Sequence, residues 1–428
     1  MNSRIYIKSA AYSFALIASA SAHAAGFALI EQSASGMGNA YAGGAAVAED
    51  ASTIFFNPAG MTYIEGTQAV GAIHLIKPNA EFKDKGSVAA NFRPLGDEGP
   101  NAGDLAFVPN FYFMTTLTPT IKVGVGVNAP FGLKTEYDDD QWLGRFQANK
   151  SEVKTININP SIAFKVNDQL SLGFGVSAMR AEATLSRAVN FGPFGAGSVK
   201  IEGDDWGFGF NMGAIFQATA NTRVGLAYRS KVKQRLEGDA KFRTPAALPP
   251  AFTPPDGDVK AAVDLPESFS ASVFSKLNSK WDIMGDVTWT RWSRFEELRI
   301  NRDDGTLLAV TPENWENTMR YSIGVNYHYS DVIKLRAGLA YDEEAIKDEF
   351  RTARIPGNDR KWVALGASYI LSPMSKFDIG YTHLFLSDAE IDDNQTAVSA
   401  TAPFNSGRVT GDFEGSVDIL SLQYTHNF

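Results

Sequence analysis

Residues 281–292, WDIMGDVTWTRW, put Trp281, Ile283, Val287 and Trp289 on one face and Asp282, Asp286, Thr288 and Thr290 on the other. Alternation with period two marks a strand with one apolar side. Residues 320–329 repeat it, with Tyr321, Ile323, Val325, Tyr327 and Tyr329 opposite Arg320, Ser322, Gly324, Asn326 and His328. IKLRAGLAY, 333–341, sets Ile333, Leu335, Ala337, Leu339 and Tyr341 against Lys334 and Arg336. Similar segments start near Gln68, Phe107, Ile121, Lys154, Leu170, Trp206, Arg223, Ser268, Lys361, Lys376 and Asp418. The pattern predicts an all-β chain of about fourteen strands, an even number as bacterial membrane barrels require.

The connections sharpen the architecture. TPT (118–120), NDQ (167–169), TANT (219–222), NS (278–279), SD (330–331) and SPM (372–374) are short. The others are long and polar, Gly-rich or Pro-rich, as in PAALPPAFTPPDGD at 245–258. A transmembrane antiparallel β-barrel alternates tight periplasmic turns with long extracellular loops in this way. The chain also ends on an aromatic: Leu420, Leu422, Tyr424 and Phe428 share a face of VDILSLQYTHNF. Phe428 resembles the terminal signal read by the barrel-insertion machinery.

Composition changes the picture in three places. Mean hydropathy is -0.15, and no apolar run nears the ~18 residues of a membrane helix, as expected if strands do the spanning. With no cysteine in 428 residues, disulfides, Fe–S clusters and thiolate-bound zinc are excluded. A net charge of -9 without a basic block argues against nucleic acid as a partner. Arg4 and Lys8, the apolar stretch Ala10–Ala20 and Ala22-His23-Ala24 read as a cleaved signal peptide over 1–24, so that the mature chain begins at Ala25.

Nothing points to catalysis. His74, His328, His383 and His426 belong to separate strands, and no HExxH or G-x-S-x-G motif occurs. No metal or other cofactor is expected. Asp138-Asp139-Asp140 and Asp303-Asp304 could bind calcium or simply be solvated. On the inward face, Gly124, Gly126, Gly173, Gly175, Gly207, Gly209 and Gly213 mark either a close approach by a plug or substrate, or relief of wall curvature.

Before the first strand, residues 25–66 are rich in Gly, Ala and Ser and carry the stiff corner Asn57-Pro58-Ala59. Such a segment can fold into a barrel of this size as a compact plug, with Asn57 capping the turn that Pro58 begins. The stretch AGFALIEQSASGMGNAYAGGAAVAEDASTIFFNPAGMT, 25–62, resembles the hatch of the FadL family of long-chain fatty acid outer-membrane transporters. FVPN (107–110), WGFGFNMG (206–213), LAYRS (226–230), RIPGNDR (354–360) and the last strand resemble it too. The family also includes importers of aromatic hydrocarbons such as toluene.

The resemblance implies a hatch over 25–66, a barrel over 67–428, an extracellular apolar groove, a lumenal ligand site and a kink in the third strand. In IKVGVGVNAPFGL that kink falls at Asn128, Pro130, Phe131 and Gly132, although Pro130 could equally end the strand at the rim. The groove falls between the third and fourth long loops, on Phe191, Phe194, Val199 and Ile201 and on Phe242, Leu248 and Phe252. Arg187 is the implied partner of a carboxylate, and Phe27 belongs to the hatch end that moves. Glu316 stands where a second lumenal cation is expected, which keeps a neutral ligand in view. The implied protein is a monomer in the outer membrane, among its lipids and lipopolysaccharide. It passes long-chain fatty acids or similar hydrophobic molecules passively, with sideways exit. An aromatic-hydrocarbon importer, a general porin and a structural surface protein are the alternatives.

Overall fold

The computed structural model describes residues 26–137, 140–398 and 404–428. The expected signal peptide, its junction at Ala25 and the pair Asp138-Asp139 lie outside these residues. The strands form one closed, antiparallel barrel of fourteen walls. In order they are Thr67–Asp84, Ala106–Thr118, the broken pair Ile121–Asn128 and Gly132–Glu136, Lys150–Lys165, Leu170–Asn190 and Ala196–Gln217. Then come Thr222–Arg229 continued by Val232–Arg243, Gly257–Leu265 continued by Ser268–Lys276, Trp281–Thr290, Thr318–His328 and Ile333–Asp342. Arg360–Ser372, Ser375–Leu386 continued by Ala389–Gln395, and Gly407–Asn427 complete the ring. The first strand closes on the last along seventeen registered pairs, from Gln68–Asn427 to Asp84–Gly411, so no edge is left open there.

Which face is buried shows what solvent the wall meets. In the ninth strand Asp282, Met284 and Asp286 are buried while Trp281, Ile283 and Val287 are exposed. In the tenth, Arg320, Ser322 and Asn326 are buried and Tyr321 and Ile323 are exposed. Polar-in and apolar-out is the reverse of a water-soluble sheet and suits a barrel in lipid. Aromatic pairs thicken the outer face near the short turns, as with Trp281 and Tyr327 (4.6 Å) and Phe377 and Tyr424 (5.0 Å). Phe428 extends this band: its N–H donates to the Thr67 carbonyl at 2.9 Å, and its ring meets His426 at 4.7 Å.

Several strands run further than alternation foretells. The sixth starts at Ala196 rather than near Trp206, and the last at Gly407 rather than near Asp418. Their outer ends stand in water on both sides, where no solvent asymmetry imposes period two. The third long connection therefore shrinks to a tip at 191–195, and Val199 and Ile201 lie within the sixth strand.

Residues 26–66 fill the lumen with three four-residue helices and a 3-10 turn, Pro58–Tyr63. Ala34, Met37, Ala40, Ala46, Ala51, Ile54, Ala59 and Met61 have no exposed surface. At Gly173 a Cβ would stand 2.1 Å from the Ala59 nitrogen, so the wall there has room only for glycine. Gly124 and Gly213 meet the plug similarly, whereas Gly175, Gly207 and Gly209 abut other wall residues. A close approach by the plug thus accounts for Gly124, Gly173 and Gly213.

Candidate functional site

Midway up the barrel, the wall between the second and third strands lacks its ladder. The second strand pairs with the third only from Phe111 to Thr118, while its Ala106–Asn110 section bonds to the first strand alone. The third strand leaves its partners after Asn128 and resumes at Gly132 against the fourth. Pro130, which has no N–H to give, lies inside this break rather than at the rim. Pro109 likewise brings no N–H to the facing edge.

The exposed backbone at the break finds other partners, as buried polar groups must. The Leu29 N–H donates to the Pro130 carbonyl at 2.8 Å, and the Gly132 N–H donates to the Phe27 carbonyl at 3.0 Å. Gln32 Nε2 donates to the Ala129 carbonyl at 3.1 Å. The Thr155 hydroxyl donates to the Phe131 carbonyl at 2.6 Å and accepts from the Phe131 N–H at 3.0 Å. The N-terminal end of the plug therefore stands in for a missing stretch of wall. Above it, an ion pair of Lys134 with Asp104 and a bond from Glu136 N–H to the Ala102 carbonyl (3.2 Å) close the upper lip.

Phe27 is held in an aromatic box. Its ring centroid lies 4.9 Å from Trp292, 5.7 Å from Trp315, 6.0 Å from Phe131 and 6.3 Å from Phe295. Gly26 is required beside it: φ is +54°, and a Cβ would approach Trp315 to 2.6 Å. Trp315 is oriented by Glu313, whose Oε2 accepts the indole N–H at 2.9 Å. Burial pushes the Glu313 carboxyl up to about 8, partly offset by the Trp315 hydrogen bond. Trp292, Phe295 and Trp315 come from the connection after the ninth strand and were not singled out from sequence. Their only signal was a cluster of aromatics in an otherwise polar loop.

Beneath and beside the box lies a cavity of about 680 Å³. One wall is apolar, with Leu29, Ile30, Ile76, Val108, Phe131 and Leu384; the other carries Ser270, Asp286, Thr288, Arg320 and Asp342. Leu105 and Phe107, both exposed, also line it beside the break. The plug contributes Glu31, whose carboxyl burial pushes up to about 7 while Arg360 and Arg320 pull it partly back.

The other expected site residues lie elsewhere. Asn128 sits at the last rung below the break, bonded to Asn157 at 3.1 Å. Asn57 is wholly buried in the plug: its amide donates to the Ala45, Ala214 and Leu226 carbonyls, and its oxygen accepts from Ala59 N–H, one residue past Pro58. Arg187 does not line the cavity; it donates to the Phe146 carbonyl at 3.1 Å near the extracellular end of the fifth strand. Phe191, Phe194, Phe242 and Phe252 are likewise off the cavity. Phe191 is buried against Gly197, Phe242 packs under Arg302, and Phe252 is open to solvent. Glu316, half exposed, pairs with Lys347 at 3.0 Å, away from the cavity lining. Among the described residues no acidic or histidine cluster could hold a metal; Asp303 pairs with Lys260, and Asp304 closes a turn with Thr306.

Residues 15–428 match the model of the outer membrane protein transport protein family (OMPP1/FadL/TodX). The chain belongs to this family. It is therefore an outer-membrane transport protein and not an enzyme. The chain is 32% identical over 408 residues to outer membrane protein P1 of Haemophilus influenzae, covering 86% of this chain and 88% of that one. It is 28% identical to a long-chain fatty acid transport protein of Escherichia coli, across 89% and 91% of the two chains. Among solved structures, a FadL homologue from Pseudomonas aeruginosa superposes with a TM-score of 0.85 at 24% identity, over 94% and 100% of the chains. The Pseudomonas putida toluene transporter TodX superposes with a TM-score of 0.71 at 17% identity, over 94% and 99%. Both structures share the fold.

Proposed function

We propose that the protein admits long-chain fatty acids, or similar hydrophobic molecules, by passive diffusion and releases them sideways through the third-strand break. The observation that carries this reading is the apolar-walled cavity continuous with a gap in the ladder. A volume of about 680 Å³ falls within the range of roughly 300–1,000 Å³ typical of small-molecule sites. An acyl chain entering it gains about 0.8 kcal/mol per buried methylene, which a wet pore cannot offer. The relatives named for long-chain fatty acid transport support the choice of cargo, and the filled lumen argues against a general porin or a purely structural role.

Gating follows from the box. Cargo that takes the place of Phe27 draws Leu29 away from Pro130 and opens the gap to the bilayer, so occupancy and exit are coupled. Asn57, Pro58 and Ala59 meanwhile keep the rest of the plug in place. On this reading the protein works as a monomer, with lipid and lipopolysaccharide around it, after delivery by the insertion machinery through Phe428.

Mass spectrometry of molecules co-purified in a mild detergent tests the cargo, with a fatty acid expected. Recovery of an arene would favour the hydrocarbon importer instead, the reading that the shared fold with TodX keeps open. For the exit, Pro130→Val with Gly132→Val should lower uptake of labelled oleate at matched outer-membrane levels. Part of that effect will come through the plug, because a Cβ at Gly132 would press on Leu29 at 2.8 Å. Undiminished uptake would contradict the sideways route.

A further inference from the structure

The wall has a second interruption, between the sixth and seventh strands. Their registered pairs run from Ser198–Arg243 to Asp204–Glu237 and resume at Asn211–Arg229, so Asp205–Phe210 lie outside the ladder on that side. Across the gap the sixth strand takes seven steps and the seventh takes eight, the one-residue excess of a bulge. The ladder with the eighth strand skips there too, between Val232–Leu265 and Arg229–Ser268, where Pro266 has no N–H to give. Phe210 stands seven residues from its short-turn end at Gln217, as Asn128 stands seven from Ile121, so both interruptions sit at a similar height.

Side chains do part of the closing here. The Phe210 N–H donates to the Ser230 hydroxyl at 2.8 Å, and the Ser230 N–H returns a bond to the Phe210 carbonyl at 2.8 Å. The Arg235 N–H donates to the Asp205 carboxylate at 2.6 Å. Below the gap the lip is anchored to the plug, by Asn211 on the Ile54 carbonyl (3.1 Å) and Arg229 on the Phe55 carbonyl (2.7 Å). Outside it is aromatic, with Trp206 exposed and Phe208 73% exposed. The cavity lining changes at the same place. On the ninth strand it takes alternate residues, Asp286, Thr288 and Thr290, as a closed wall allows. At the third-strand break it takes adjacent ones, Phe107 with Val108, and below the second interruption it does so again, Asn211 with Met212 and Ala227 with Tyr228.

We propose that this interruption is a second side port, through which a single-tailed hydrophobic molecule already dissolved in the membrane enters the cavity. The proposal rests on the reading that the cavity holds cargo. The lower lip stays fixed on the plug, and the bulged Ser230-Lys231 segment is the part that yields. A rung made by a serine hydroxyl opens without unzipping a regular ladder, which in lipid would leave a row of main-chain groups unmet. An acyl chain suits the aromatic rim better than a charged or bulky solute. A molecule that went back by the same port would gain no passage, so net transport still needs the third-strand break.

The test uses the purified protein in phosphatidylcholine vesicles that carry a photoreactive oleate. Mass spectrometry reads labelling at the inward residues Asp286 and Thr288, with the outward Ile283 and Val287 as the control for lipid contact. The third-strand break is first pinned by an oxidised Ala28→Cys, Phe131→Cys pair, and inward labelling should persist. Adding Gly207→Cys with Val232→Cys closes the second interruption: a Cβ at 207 would lie 2.5 Å from Val232 Cγ1, which puts the two Cβ atoms within about 4 Å, in disulfide range. Once oxidised, that lock should cut inward labelling at least about tenfold and leave the outward control unchanged. If the locked protein does not fold, as judged by heat-modifiable migration, Ser230→Ala in the pinned protein carries the test. It removes the hydroxyl that accepts the Phe210 N–H and should raise inward labelling about two- to tenfold, the scale of one hydrogen bond. Inward labelling that survives the lock, that vanishes when the third-strand break alone is pinned, or that Ser230→Ala leaves unchanged would overturn the port. No inward labelling of the wild type would overturn the cargo cavity itself.

Discussion

Glu49→Gln should unfasten the plug without unfolding the barrel. One oxygen of Glu49 receives Lys334 Nζ at 2.9 Å, Arg336 Nη2 at 2.6 Å and Lys376 Nζ at 3.0 Å. All three cations come from barrel strands near short turns, and Arg336 also pairs with Asp378 at 2.9 Å, both without exposed side-chain surface. Asp50 ties the same corner through Ser35 (2.7 Å) and Gln423 (2.8 Å). An amide at position 49 removes the charge on which three cations converge, leaving Asp378 and Asp50 to balance them. Breaking a buried pair from one side costs about 3–5 kcal/mol. That raises the displaced population of the plug roughly 10²- to 4 × 10³-fold, since each 1.4 kcal/mol is about tenfold.

Burial alone would raise the Glu49 carboxyl, but Arg336, Lys334 and Lys376 outweigh it and hold it well below its ordinary 4.5. A lowered folded value means the contribution is fully present above about pH 4.5 and is lost only as pH falls through that lowered value. The wild-type plug should therefore stay fastened from neutral to mildly acid conditions. Planar-bilayer recording at pH 7 is the assay, with heat-modifiable migration to show an intact barrel. The wild type should be electrically quiet and the variant should show frequent openings. A variant as quiet as wild type, with unchanged amide exchange across 44–53, would refute the argument.

Asn57→Ala removes a side chain that serves three plug and wall carbonyls and caps the Pro58 turn. The cap alone is worth about 0.5–2 kcal/mol, so folded yield should be normal while oleate uptake changes; unchanged uptake would make Asn57 a packing residue only. Glu31, with burial holding its carboxyl at about 7, faces Arg360, Arg320 and Asp342 and should tune anion binding in the cavity with pH. A sulfonate amphiphile, whose own charge is constant, should bind more tightly at pH 6 than at pH 8, because neutral Glu31 removes a like charge. Glu31→Gln should flatten that profile, and a wild-type profile already flat would contradict the role. For stability the sign agrees: a raised folded value favours the fold most below pH 4.5, and the benefit fades as pH rises through about 7.

The strands were legible because lipid on one side forces alternation, as Trp281 to Thr290 shows. Their outer ends were not, because water on both sides leaves Ala196 to Asp205 without a preferred face. That same extension sets Arg187 apart from the cavity. It lies seventeen residues past Leu170, about 56 Å along the strand at about 3.3 Å per residue, well beyond an apolar band roughly 25 Å tall. Small residues and the Asn57-Pro58 corner announced the plug, since only such residues let backbones meet as Ala59 meets Gly173. Trp292 read as the end of a strand but folds inward on a 3-10 turn to meet Phe27, a contact made across the whole lumen. Arg320 was visible only as an inward polar position; its contacts with the Ala40 carbonyl and the Trp362 ring come from distant parts of the chain.

The central claim is that the Phe27–Leu29 segment must leave the third-strand break before cargo can pass. Ala28 and Phe131 form an isolated antiparallel bridge there, and the chain has no cysteine of its own. Bridge partners stand about 4.5–5.5 Å apart at Cα, within reach of a disulfide. The decisive measurement is labelled oleate uptake by cells expressing Ala28→Cys with Phe131→Cys, before and after mild reduction. The account predicts uptake blocked when the pair is oxidised and restored on reduction. Uptake by the oxidised form equal to that of the reduced form would contradict it.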